Sequence, residues 1–268
     1  RNSRSLRALS LAVSVQIVGY ETAAGAERDQ PALLVAGDGA IERESLAPGR
    51  QLGYSLGRRY CAGTIDDTGH TSCEADDAPY CPTHTKRWAC ARCRGDCDRP
   101  LPSCHEEHAV YLAAFAPATF KVGVTRSWRL DTRLREQGAD RAAHLRTVAD
   151  GKIARQIEAE IAADVGDQVR VPAKIRGLHR EVSTAAWEQL LSEYDVLSTY
   201  AFDYGLSLQE RPVAETVLTG SVRGTQGRVL VLERRGTVYA VDMRDLVGHE
   251  LTDGGTDRAL QSSLASFE

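Results

Sequence analysis

Apolar and polar positions alternate in short runs toward both ends of the chain and recur at helical spacing only in its middle. Ser14–Tyr20, Ala32–Ala36, Ala40–Leu46 and Gln51–Leu56 read as strands, punctuated by the turn signals Gly37-Asp38-Gly39 and Pro48-Gly49. Val217–Val222, Arg228–Glu233, Val238–Met243 and Leu246–Leu251 read the same way, joined by Gly224–Gly227 and Arg235-Gly236. Short antiparallel strands of this length predict a small barrel or sandwich half, free to pair with the N-terminal strands. Between these ends lie two strands, Val110–Phe115 and Thr119–Val124. A helix over Arg129–Gln137 follows, with Leu130 and Leu134 one turn apart and Gly138 as its stop. Ile153, Ile157, Ile161 and Val165 stand four residues apart in a helix over Lys152–Val165, and Trp187, Leu190, Leu191 and Tyr194 share a face of another over Thr184–Leu197. Both stripes are expected to pack into a core.

The resulting class is α+β in four segments: an N-terminal β segment (13–58), a Cys/His module (59–108), an α/β core (109–200) and a C-terminal β unit (213–252). Residues 61–108 hold all seven cysteines and four of the seven histidines with few aliphatic side chains, so this stretch cannot build a core of its own. Cys61, Cys73, Cys81, Cys90, Cys93, Cys97 and Cys104, with His84, make eight ligands, enough for two tetrahedral zinc sites. An odd cysteine count with CxxC and CxxH spacings fits disulfides poorly, and bound metal would supply the missing folding energy. One or two structural zinc ions are expected. The four pairs 61/73, 81/84, 90/93 and 97/104 can combine sequentially or alternately, 61/73 with 90/93 and 81/84 with 97/104, and the alternate combination is favoured. The eleven-residue gap between Cys61 and Cys73 excludes a RING-type knuckle.

At 268 residues, with 42% hydrophobic and 26% charged, the chain has the composition of a folded protein rather than a disordered or fibrous one. No apolar run approaches the roughly 20 residues that span a bilayer. Arg1–Gly19 has the outline of a secretory signal, but Ser10, Ser14 and Gln16 interrupt it and Val15, Ile17 and Gly19 alternate as a first strand would. Reduced cysteines point instead to the cytoplasm. Asp253–Glu268 offers little to bury and reads as a tail. The net charge of −4 conceals a basic stretch: residues 121–180 carry thirteen Lys/Arg against eight Asp/Glu, a net +5, which leaves −9 for the remainder. Within it Arg170, Lys174, Arg176, His179 and Arg180 crowd together on an expected loop, a pattern suited to phosphate contacts.

Ala109-Val110-Tyr111, followed by Phe120-Lys121-Val122-Gly123-Val124-Thr125, then Arg133-Leu134 and Ala154-x3-Glu158, resembles the motif order of the GIY-YIG endonuclease superfamily, particularly its phage-type branch. Including the cysteine cluster, Arg135–Ala139 and Val171–Lys174, the whole chain is similar to an uncharacterised family, domain of unknown function 2797. The superfamily resemblance covers about 70 residues from Ala109 and implies a phosphodiester-cleaving site. In it Tyr111 and Lys121 stand beside the scissile phosphate, Arg133 binds that phosphate, and Glu158 holds one Mg²⁺ or Mn²⁺ ion. Arg129, Arg170, Lys174, Arg176 and Arg180 would extend the nucleic-acid contact. Lys121 departs from the Tyr of many such nucleases; it can bind phosphate or, if desolvated, act as a base.

Two functional classes follow from the same residues, with the partner either DNA or RNA: a divalent-metal-dependent endonuclease, or a non-catalytic nucleic-acid or ribosome-binding module. A zinc-containing protein-interaction scaffold is a third. The residues also have plain structural roles open to them: Tyr111 packing in its strand, Arg155 or Lys152 pairing with Glu158, and Arg129 and Arg133 forming an ordinary basic face.

Overall fold

The computed structural model describes residues 15–23, 30–85, 93–97 and 101–256. The signal-like residues 1–14, Cys90 and the last residues of the expected tail lie outside the described residues.

Four strands open the chain: β1 (Val15–Glu21), β2 (Ala32–Gly37), β3 (Ala40–Ser45) and β4 (Gln51–Arg59). A small hairpin of β5 (Thr64–Asp66) and β6 (Gly69–Thr71) follows. The central part consists of β7 (His108–Phe115), β8 (Thr119–Arg126), α1 (Leu130–Gln137), β9 (Arg141–Val148), α2 (Gly151–Val165), α3 (Val171–Gly177), α4 (Thr184–Leu191) and β10 (Ser198–Ala201). The chain then returns to β structure with β11 (Val213–Ala214), β12 (Leu218–Gln226), β13 (Val229–Arg234), β14 (Thr237–Asp242), the single turn α5 (Met243–Leu246) and β15 (His249–Asp253).

Strands from both ends form one nine-stranded sheet, ordered β11-β14-β13-β12-β4-β15-β1-β2-β3. The ends interleave: β4 lies between β12 and β15, and β15 in turn pairs with β1. Ile17, Leu33, Leu52, Leu218, Leu230 and Leu246 belong to its continuous apolar core. The protein is thus mixed α+β. Among the described residues no helix is long and apolar enough to cross a membrane.

The second sheet has the order β10-β9-β7-β8, antiparallel throughout. Every residue from Ala109 to Phe115 is buried, because β7 is covered on both faces. Side chains alternate along a strand, so Val110, Leu112 and Ala114 face α2 and α4, with Ala154 and Trp187. Tyr111, Ala113 and Phe115 face α1, with Leu130 and Leu134. β8 forms an edge of this sheet, so α1 and α2 flank an open margin.

Local signals account for the element ends. Gly138 takes the left-handed conformation that closes α1, and Asp150 caps α2 by accepting from Lys152 N at 2.6 Å. Three expectations are corrected. Ile153 is 49% exposed, because residues four apart advance 400° and rotate off a face after several steps; Ile157, Ile161 and Val165 do pack on the core. The helix from Thr184 ends at Leu191, where the chain turns before β10. The basic stretch after Arg170 is helical through Lys174 and Arg176, with His179 and Arg180 in the turn beyond it, rather than a loop throughout: Pro172 stands in the first turn of α3, a position that needs no amide donor.

Candidate functional site

Tyr111, Lys121, Arg133 and Glu158 come from β7, β8, α1 and α2, and all four line one cleft of about 590 Å³ along the β8 margin. Lys121 is opposite Ala113 and Gly123 opposite Tyr111 in the β7–β8 register, so both belong to the face that carries α1. Gly123 is where the Tyr111 ring crosses its neighbour: a Cβ there would meet the phenol oxygen at 2.5 Å. A glycine in the second motif is therefore the space that admits the tyrosine. Gln137 Nε2 donates to the Tyr111 oxygen at 2.6 Å and fixes the ring.

Burial raises the Tyr111 phenol above its ordinary range, outweighing the opposing field of Arg133, so this side chain stays protonated at neutral pH. Lys121 moves the other way. Burial lowers its ammonium to about 8, and Arg133 adds to the effect against the attraction of Glu158 and Asp167. Arg129 lines the same cleft, and Glu136 holds both guanidiniums, Arg129 at 2.8 Å and Arg133 at 3.3 Å. Glu158 accepts from Arg155 at 2.6 Å, whereas Lys152 reaches the Cys97 carbonyl at 2.9 Å instead.

The other basic residues do not gather at this cleft. Arg170 and Lys174 line a second, larger cavity, and Arg176 and Arg180 are exposed and line neither. Sequence reasoning missed Asp167, Gln168 and Arg126 in the cleft wall. It also missed Trp128, 71% exposed between Arg126 and Arg129, with the Arg126 guanidinium 4.7 Å from its ring centre. Glu106 accepts from the indole N–H at 3.2 Å. The signal was a tryptophan within the basic run Arg126-Ser127-Trp128-Arg129, immediately after the second motif.

Cys61, Cys73, Cys81 and His84 form a separate cluster whose ligand atoms all lie within 4.8 Å of one another. The Cys61 and Cys81 sulfurs are 3.3 and 3.2 Å from His84 Nδ1. The long gap from Cys61 to Cys73 is taken up by the β5–β6 hairpin, which folds back on itself and brings its two ends together. His70 of that hairpin is 2.8 Å from the Ala62 carbonyl. Gly63, at φ 67°, turns its N–H back to the Cys61 sulfur at 3.4 Å. The Cys81 thiol sits below its ordinary value: burial pushes it up, but the N–H groups of His84 and Thr83 and the Cys61 side chain stabilise the thiolate.

Three thiols and an imidazole at tetrahedral-scale separation fit one metal ion such as zinc. This is sequential pairing, which corrects the alternate combination of 61/73 with 90/93. Cys93, Cys97 and Cys104 belong to a different neighbourhood, where Gly95, Cys97 and Cys104 contact the first turn of α2 at Lys152 and Gly151.

No curated protein and no solved structure matches the chain. The model of a family described as protein of unknown function (DUF2797) matches residues 53–251, from β4 through the Cys3His cluster and the cleft into β15. That match covers well over half of the sequence, and the chain belongs to this family.

Proposed function

We propose that the protein is a divalent-metal-dependent phosphodiester endonuclease acting on nucleic acid through a GIY-YIG-like core. One observation carries the reading: four side chains separated by up to 47 positions in the sequence, Tyr111 to Glu158, line a single cleft. In-line attack at a phosphodiester needs an oriented water, an acceptor for its proton and cations on the non-bridging oxygens. Lys121, lowered to about 8, is partly neutral near physiological pH and is the acceptor within this cleft. Tyr111, held protonated, orients the water or donates to a phosphate oxygen rather than acting as the base. Arg133 and Arg129 present guanidinium forks to the phosphate.

Glu158, with Asp167 on the same cleft, supplies the oxygen donors that Mg²⁺ or Mn²⁺ takes together with phosphate and water. Such an ion would polarise the phosphoryl oxygen. Structural zinc at the Cys3His cluster and a cytoplasmic location belong to the same reading.

A second reading, a non-catalytic nucleic-acid-binding module, is favoured by the 2.6 Å pair between Arg155 and Glu158, which already neutralises the carboxylate. Cleavage of single- and double-stranded DNA and RNA with Mg²⁺ or Mn²⁺ separates the two. Glu158→Ala is expected to reduce cutting by about 10²-fold or more while binding persists. Salt-sensitive binding without cutting by the wild type would establish the second reading. Absence of both would sink the nucleic-acid assignment.

A further inference from the structure

A second cavity of about 820 Å³ lies between the two sheets and meets the cleft at Arg133, which lines both. Its walls come from β1, α1, α3 and the β14–α5 corner. Three of its cations, Arg170, Lys174 and Arg244, have no carboxylate partner among the described residues. The acids of the same wall are already engaged: Asp242 holds Arg228 at 2.7 Å, Glu21 holds Arg43 at 2.7 Å, and Glu136 holds Arg129 and Arg133. Lys174 Nζ makes one hydrogen bond, to the Gln137 carbonyl at 2.6 Å, and stands 4.3 Å from the Phe115 ring centre. Arg228 Nε is buried without a hydrogen-bond partner. The unmatched buried Arg228 donor and the desolvated Lys174, beside the solvent-exposed Arg170 and Arg244, describe a place prepared for an anion, because a buried donor costs free energy until a negative oxygen reaches it.

We propose that this cavity binds the phosphate-bearing continuation of a single nucleic-acid strand leaving the cleft past Arg133. The inference rests on the nucleic-acid reading above and narrows its substrate class. Volume sets the limit: the space is of small-ligand size, which accepts about one or two nucleotides and has no room for a duplex. Tyr20 and Tyr80 on the β1 side add aromatic walls against which a base can pack. Burial lowers Lys174 to about 7, with Lys121, Arg228 and Arg133 adding to the effect, as expected of a cationic recess whose counter-anion is the ligand.

Phosphate oxygens also belong to free nucleotides, so the test has separate arms. Full-length protein is titrated, by fluorescence anisotropy over a series of salt concentrations, with a labelled single strand and with its blunt duplex. Inorganic phosphate and a 5′-mononucleotide serve as competitors. Arg170 and Arg244 are exposed at their surfaces, so Arg170→Ala with Arg244→Ala should fold normally; circular dichroism and the cysteine cluster's metal content report on that. The double variant is expected to bind the single strand about tenfold more weakly, with its salt slope reduced by about 1.4 for two lost phosphate contacts, and to leave duplex affinity unchanged. Unchanged single-strand affinity and slope, in a protein that still binds or cuts nucleic acid, would refute the cavity assignment while sparing the cleft. Equal losses on both substrates would overturn the strand limit. Saturable mononucleotide binding without single-strand affinity would make the ligand a free nucleotide and overturn the strand assignment. A wild type that binds neither nucleic acid brings down the cleft reading as well.

Discussion

Gln16 and Glu44, in the nine-stranded sheet, are 3% and 6% exposed, and the protein itself satisfies both. Gln16 Nε2 donates to the Gly248 carbonyl at 3.0 Å and lies 3.4 Å from those of Tyr60 and Cys61. Glu44 accepts from Tyr54 at 2.7 Å and from Arg50 at 3.0 Å. The polar groups around the smaller sheet are arranged otherwise. Lys121 and Lys174 are desolvated among other cations, and Tyr111 is buried with its phenol held by one donor. A satisfied buried polar group specifies a fold, whereas a desolvated cation beside an open space costs stability and implies a ligand. On the function proposed above, the large sheet is chiefly the frame and the small sheet carries the cleft, while the cavity between them draws residues from both.

The strongest way to break this comparison is through the metal cluster, which joins the frame at the Cys61 carbonyl. Structural zinc in small modules contributes of order 10 kcal/mol, and the segment from 61 to 85 has little other core. Cys81→Ser should lose one equivalent of zinc and destabilise the protein by about 5 kcal/mol or more. Metal analysis beside denaturant melts checks this. A chelator that strips the metal and leaves the melt unmoved would make the cluster incidental to the frame.

Within the sheet, Glu44→Ala orphans the buried Tyr54 hydroxyl and releases Arg50, at a cost of about 2–3 kcal/mol. Nucleic-acid affinity should not change. If binding weakened along with stability, the division between frame and chemistry would be wrong.

The opposite substitutions belong in the cleft, at Lys121, and in the neighbouring cavity, at Lys174. Lys121 and Lys174 have folded-state values of about 8 and 7, below their ordinary 10.5, so the unfolded chain binds more protons between those limits. Stability therefore climbs as pH rises from about 7 toward 10 and is lost again as pH falls through the folded values. Lys174→Met and Lys121→Met should each raise the pH 7 melting temperature by a few degrees and flatten that climb. Lys121→Met should also remove the rise of cleavage rate with pH that a base near 8 produces. A steeper pH dependence of stability in either variant would contradict the burial of these amines.

Much of this architecture was legible in the sequence. Alternation located β3 and β4, which expose one face, short apolar runs between turn signals located strands such as β2 and β13, which are largely buried, and Leu130, Leu134 and Gly138 marked α1. β9 was not legible: Arg141-Ala-Ala-His-Leu-Arg-Thr-Val148 has few strand-forming residues, and its alanines are there because helices crowd both faces of that sheet. α3 was hidden by Pro172, and the ligand pairing by the gap that a hairpin fills. The meeting of Tyr111, Lys121, Arg133 and Glu158 was readable only through the motif order, since no periodicity relates four separate elements. The cavity between the sheets had no local trace, because Arg170 and Lys174 meet Arg228 and Arg244 only in the folded chain.

The smallest effect tests how far the chemical region extends beyond the cleft. Trp128 exposes 71% of its surface at the cleft margin and is steadied by Glu106 and Arg126, an ordered aromatic surface on an otherwise cationic rim. Stacking of a base on an aromatic side chain contributes about 1–3 kcal/mol, and an exposed rim position belongs at the low end. Trp128→Ala should therefore weaken single-strand binding about fivefold while leaving the salt slope intact, since no phosphate contact is lost. Trp128→Phe should recover most of that affinity. Should the alanine and phenylalanine variants be equally weak, the indole's bond to Glu106 and its hold on the arginines would be the source of the effect, and the rim would act through charge alone. If neither variant changes binding, the chemical region ends at Arg129.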